Sequence, residues 1–247
     1  MNQDLDFTYA EIYFKAHNVE FSEDKFVALG LKNKDNIYTK LGELVSDDNP
    51  IVVKFACYDN FLHFKYKKEF TGSIIKITNE VLTEAELFNV TSAKIPEKGG
   101  RRIETKSFPG YSLREAILNA ICHADYSAPS NIIIAFYKDR MEVTNPGGIY
   151  HYELIDILHG AQSFRNPKLV NILNKLSFIE NYAEGIKRIR EAYPDYDVIS
   201  FFSGSSLWFR TTLPDLNYVK YGDKPIDGPK MAPMNEPKKF CINRWSN

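Results

Sequence analysis

Apolar residues recur along the chain in two rhythms, one near 3.6 residues and one of two, and these rhythms divide it into helices and strands. Residues 7–17 and 24–31 follow the helical spacing, and residues 38–45 repeat it through Leu41, Leu44 and Val45. Alternation over 52–58 and 62–70, interrupted by Asp59 and Asn60, predicts a β-hairpin. A long helix is expected at 71–88, then a charged, glycine-containing link at 98–102, then a second helix at 113–123. An apolar strand at 132–137, a polar turn at 138–140 and a strand at 141–144 follow, and 198–202 with 207–212 predict a closing hairpin around 203–206. Beyond Pro214 the chain turns proline-rich with few apolar clusters, the pattern of an extended arm. No internal repeat is visible. The expected division is an N-terminal α/β segment at 1–97, a main domain at 98–213 and a tail at 214–247.

The helix around SLREAILNAICHADY carries the most chemistry. Glu115, Asn119 and His123 are spaced i, i+4, i+8 and share one helical face, while Ile117, Leu118, Ala120, Ile121 and Cys122 supply apolar surface for a core. A carboxylate and a carboxamide buried together cost about 2 kcal/mol or more unless something satisfies them. A plainer reading serves Glu115 alone: Ser112, three residues ahead, would make a capping box with it. That reading leaves Asn119 and His123 unexplained, since Asn competes with the backbone in mid-helix. Asn145 to Ile149 reads NPGGI, which taken alone is an ordinary turn after a strand.

Taken together with SFRNP at 163–167 and YAEGIKRIREAY at 182–193, these segments resemble the GHKL family of ATP-binding domains, in its RecG-like C-terminal version. That version occurs in transcriptional regulators behind a Schlafen-type AlbA DNA-binding domain. IYTKLGELVSDDNP and KEFTGSI resemble the segment that precedes it there. The resemblance implies a two-layer α/β sandwich of Bergerat type, a mixed sheet with helices on one face, and binding of ATP and Mg2+. By residue, it makes Glu115 the catalytic carboxylate that orients the attacking water and Asn119 the magnesium ligand. His123, Asn145, Gly147, Gly148, Arg165 and Gly185 fall at cofactor-binding positions, Asn145 where most relatives have the Asp that receives the adenine amino group. Three positions depart from the pattern: Ala124 stands for an Arg that would pair with Asp125, Asn145 lacks the usual charge, and Ala183 with Glu184 replaces a glycine and adds negative charge where phosphate is expected.

Composition adds limits. At 247 residues with 44% apolar and 26% charged side chains, the chain reads as a globular protein, and a formal net charge of -1 gives no electrostatic footprint for nucleic acid. The hairpin lysines Lys65, Lys67 and Lys68, with Arg101 and Arg102, could meet a phosphate backbone, but solvated surface is the simpler reading. Cys57, Cys122 and Cys241 are odd in number and widely spaced, which suggests a reducing, cytoplasmic setting. His123, His151 and His159 lack metal-site spacing, there is no Walker A motif, and no apolar run is long enough for a membrane span. The expectation is an ATP/Mg-binding regulatory module with slow hydrolysis, touching DNA only through a domain outside this chain and capable of forming a homodimer. Its alternative is a non-catalytic interaction or dimerisation module with a degenerate pocket.

Overall fold

The computed structural model describes residues 2–95, 100–151, 153–154, 156, 164–179 and 185–221. The elements, in order, are α1 (Thr8–Ala16), α2 (Phe26–Leu29), α3 (Lys40–Val45), β1 (Val53–Tyr58), β2 (Phe64–Phe70), α4 (Ile74–Leu87), β3 (Thr91–Lys94), β4 (Ile103–Lys106), α5 (Gly110–His123), β5 (Ile132–Phe136) and β6 (Arg140–Pro146). They continue with α6 (Pro167–Lys175), α7 (Gly185–Ala192), β7 (Phe202–Gly204), β8 (Trp208–Pro214) and α8 (Leu216–Tyr221). Six strands form one mixed sheet in the order β2-β1-β5-β6-β8-β7, with β1 and β5 parallel and the other neighbours antiparallel.

Alternation decides which face is covered. Val53, Phe55, Ile132, Ile134, Phe136, Met141, Val143 and Leu213 are buried on the inner face, while Lys54 and Ile133 point outward and are exposed. Helix α5 lies on the inner face through Leu113, Ala116, Ile117, Ala120 and Ile121, a stripe of helical period that contacts β5, β6 and β8. Helix α4 packs beside it against β2, and starts at Ile74 because Ser73 caps it by accepting from the Ile75 amide.

Four expectations change. Residues 198–201, expected as the first strand of the closing hairpin, form a 3-10 turn, and the strand that pairs with β8 is the short β7. Helix α5 begins at Gly110, so Ser112 sits inside the first turn with its buried Oγ unpartnered, and there is no Ser112/Glu115 capping box. Strands β3 and β4, absent from the sequence reading, form a separate two-stranded sheet. The tail opens as a helix: Asn217 Nδ2 donates to the Thr105 carbonyl at 3.1 Å and to Ser107 Oγ at 3.2 Å, docking α8 beside β4. The rest of the tail, with Cys241, lies outside the described residues, as do Lys98 of the link, His159, Ala183 and Glu184. The main sheet takes β1 and β2 from one side of the expected 97/98 boundary and its other four strands from the other side. Among the described residues no helix is long and apolar enough to cross a membrane.

Candidate functional site

Glu115 and Asn119 sit half-buried on the flank of α5, one turn apart, and Asn119 Nδ2 donates to Glu115 Oε1 at 3.1 Å. That bond turns the Asn119 carboxamide oxygen away from the carboxylate and leaves it available as a hard oxygen ligand. Burial pushes the Glu115 carboxyl above its ordinary range, while the Asn119 hydrogen bond and the charges of Arg188 and Arg114 act in the opposite direction.

The same carboxylate lies against Gly185, the first residue of α7. A Cβ at Gly185 would fall 1.8 Å from Glu115 Oε1, so any side chain there would displace the carboxylate from its present position. The start of a helix favours negative charge, and here the protein's own carboxylate stands beside it.

At the end of α5, His123 stacks on Phe164 with ring centroids 6.0 Å apart. Burial, helped by the charge of Arg165, lowers its pKa to about 4, so the imidazole is neutral at pH 7. Arg165 connects this end of the helix to the 145–148 turn. Its Nη2 donates to the Gly148 carbonyl at 2.9 Å, its Nη1 stands 3.8 Å from Asp125 Oδ2, and the guanidinium covers the Tyr150 ring at 4.9 Å. The charge partner that Ala124 removes from Asp125 is therefore replaced from a distant segment; Ala124 itself is fully buried.

Asn145 and the two glycines are engaged with their own chain. Asn145 is 3% exposed, and its Nδ2 donates to the carbonyls of Pro146 at 3.0 Å and Gly147 at 3.4 Å. Gly147, at φ 84°, donates its amide to the Leu207 carbonyl at 2.8 Å, and the Gly148 amide donates to the Ser206 carbonyl at 3.2 Å. The close backbone approach expected at these glycines is made to the β7–β8 turn, since a Cβ on Gly148 would lie 2.0 Å from the Ser205 carbonyl oxygen.

Glu115, Asn119 and Gly185 thus form one cluster, Asn145, Gly147, Gly148 and Arg165 a second, and His123 stands between them beside Arg165. Asn166, which the sequence reading left without a role, supports both: its Nδ2 donates to the carbonyls of Cys122 at 2.9 Å and Ala124 at 2.8 Å, capping the C-terminal end of α5. The hint was its position just before Pro167, where a helix starts and a polar side chain is free to serve a neighbour.

The architecture is a mixed α/β sheet with helices. Residues 130–206 match the family described as "Putative ATP-dependent DNA helicase recG C-terminal", which supports a RecG-like, ATPase-type domain in this part of the chain. Among solved structures the chain is similar to the DIP2311 protein from Corynebacterium diphtheriae, with a TM-score of 0.67 at 16% identity, over 85% of this chain and 44% of that one. That likeness concerns the fold, and the chain spans less than half of that protein. No curated protein matches the chain.

Proposed function

We propose that the Glu115/Asn119 flank of α5 binds adenine nucleotide with magnesium, and that the chain is the nucleotide-binding regulatory module of a DNA-associated regulator, with slow hydrolysis. The observation that carries this reading is the half-buried, hydrogen-bonded Glu115–Asn119 pair at the start of α7. The match of residues 130–206 to an ATPase-type family supports it. Asn119 Oδ1 suits magnesium, which prefers oxygen ligands and keeps several waters. Bound there, magnesium would offset phosphate charge. Glu115 holds the remaining chemistry: Oε2, not engaged by Asn119, accepts a proton from water, and burial raises its basicity toward the operating pH. Asn145 Oδ1, which makes no hydrogen bond among the described residues, is the acceptor for the adenine amino group.

The alternative, an interaction module with a degenerate pocket, is favoured by the Asn145 amide and the glycine amides being spent on the protein's own backbone. One experiment separates them. Nucleotide with magnesium should raise the melting temperature, and above Kd the rise should follow the logarithm of ligand concentration. Asn119→Ala should remove the magnesium-dependent share of that shift, and Glu115→Gln should keep the shift while turnover falls about a hundredfold. An unmoved melting curve at saturating ATP and magnesium establishes the interaction module instead.

A further inference from the structure

Residues of α1, α4, α5 and the segment after α6 line an open cleft of about 320 Å³. Its lining comes from residues distant in sequence, among them Tyr13, His17, Asn79, Leu82, Arg114 and Phe178. Arg114 follows Leu113 on α5 and is held in place by the backbone: its Nη2 donates to the Phe178 carbonyl at 2.7 Å and reaches the Ser177 carbonyl at 3.5 Å. Neither acceptor is charged. Among the described residues no Asp or Glu lines the cleft, and Nε and Nη1 of Arg114 have no protein partner. An arginine whose fork is oriented and makes no ion pair among the described residues is complementary to a planar carboxylate.

The walls add a second requirement. Tyr13 stacks on Phe178 at 5.3 Å with the planes 8° apart, and His17 stacks on Tyr13 at 4.5 Å. His17 Nδ1 donates to the Tyr13 carbonyl at 2.8 Å, which fixes the ring and leaves Nε2 for a ligand. Leu82, half-buried, adds apolar surface to the lining beside these rings. The volume lies at the lower end of the range for small-molecule sites, roughly 300–1,000 Å³.

We propose that this cleft is a binding site for a small aromatic carboxylate, with Arg114 as its anion anchor and Tyr13, His17 and Leu82 around its ring. The site is separate from the Glu115/Asn119 flank and does not depend on nucleotide being bound there. Arg114 and Glu115 are neighbours on α5, and Gly185 of α7 lies against Glu115.

The test uses benzoate, followed by amide chemical shifts on the whole chain without nucleotide. Benzoate should bind saturably, shifting the amides of Tyr13, His17, Asn79 and Phe178; benzamide and acetate, each lacking one of the two features, should bind at least about tenfold more weakly. Arg114→Gln retains a donor for the Phe178 carbonyl, and should weaken benzoate about tenfold while leaving benzamide unchanged. Thr83→Phe, at an exposed α4 position on the rim, should block benzoate with Arg114 intact. Shifts that are non-saturable, scattered elsewhere, or equal in wild type and Arg114→Gln overturn the proposal. Tight binding of phenyl phosphate with none of benzoate overturns the carboxylate assignment. Unfolding of Arg114→Gln, read from its own amide spectrum, hands the decision to Thr83→Phe.

Discussion

His123 owes its neutral state to where α5 ends, packed on Phe164 with the Arg165 charge beside it. Its folded pKa of about 4 lies below the ordinary 6.5, so between those values the unfolded chain binds more protons than the folded one. Stability contributed by neutral His123 is therefore fully present above pH 6.5 and is lost as pH falls toward 4, at most at about 1.4 kcal/mol per unit. Glu115 acts in the opposite sense, because its raised carboxyl pKa adds stability on acidification. Comparing His123→Gln with wild type by urea denaturation from pH 7 to 4 isolates the histidine; a constant difference across that range contradicts the neutral assignment. The glycines differ in what they face. Gly148→Ala would put Cβ against the backbone of Ser205 and should cost about 2 kcal/mol or more, whereas Gly185→Ala meets only the movable end of Glu115 and should cost less than half as much in the same assay. The Glu115, Asn119, His123 stripe was legible because helical spacing and its apolar neighbours are local properties. What Gly148 approaches was not, because residues 205–207 reach it only through the folding of β8 onto β6.

At the scale of elements, α1, α4, α5 and strands β1, β2, β5 and β6 lie where their periodicity put them with shifted ends, whereas α6 was not anticipated and 198–201 is a 3-10 turn instead of a strand. Residues 71–88 carried the helical rhythm, yet the helix starts after Gly72, at φ 92°, once Ser73 can cap it. Strands β3 and β4 escaped notice because their side chains are mostly exposed and give no inward-outward alternation to read. Asn166 shows the same limit from the other direction, since its two acceptors lie on α5 and not on the helix it precedes. Asn166→Ala should cost about 1–2 kcal/mol by leaving two helix-end carbonyls unserved. Asn166→Asp should cost more, because a carboxylate facing two carbonyl oxygens repels them. Denaturant midpoints of the three proteins check that order; equal midpoints for Asn166→Ala and wild type refute the capping role.

For the molecule as a whole, a cut at the expected 97/98 boundary would pass through the interests of one sheet. β5 pairs with β1 along its length, from Val53↔Ile132 to Cys57↔Phe136, and Phe55 packs against Phe136 at 5.2 Å. A fragment beginning at residue 98 would expose the edge of β5 and the buried faces of Ile132, Ile134 and Phe136. It should be aggregation-prone and lack a cooperative unfolding transition, as circular dichroism on heating would show; a sharp transition for the fragment refutes this. Composition placed the boundary at a charged linker, but long-range strand pairing leaves no mark in composition.

That parallel pairing also sets an order of events during synthesis. The β1–β2 hairpin and α4 leave the ribosome long before Ile132 is made, and until then the inner face of Val53 and Phe55 has no β5 to rest against. Closure of the sheet must wait for a contact between distant parts of the chain, the kind of step that slows folding from microseconds to roughly milliseconds or seconds. The nascent protein therefore spends that interval with a sticky, half-built surface, and its yield in the cell is governed by how well that surface is shielded while translation catches up.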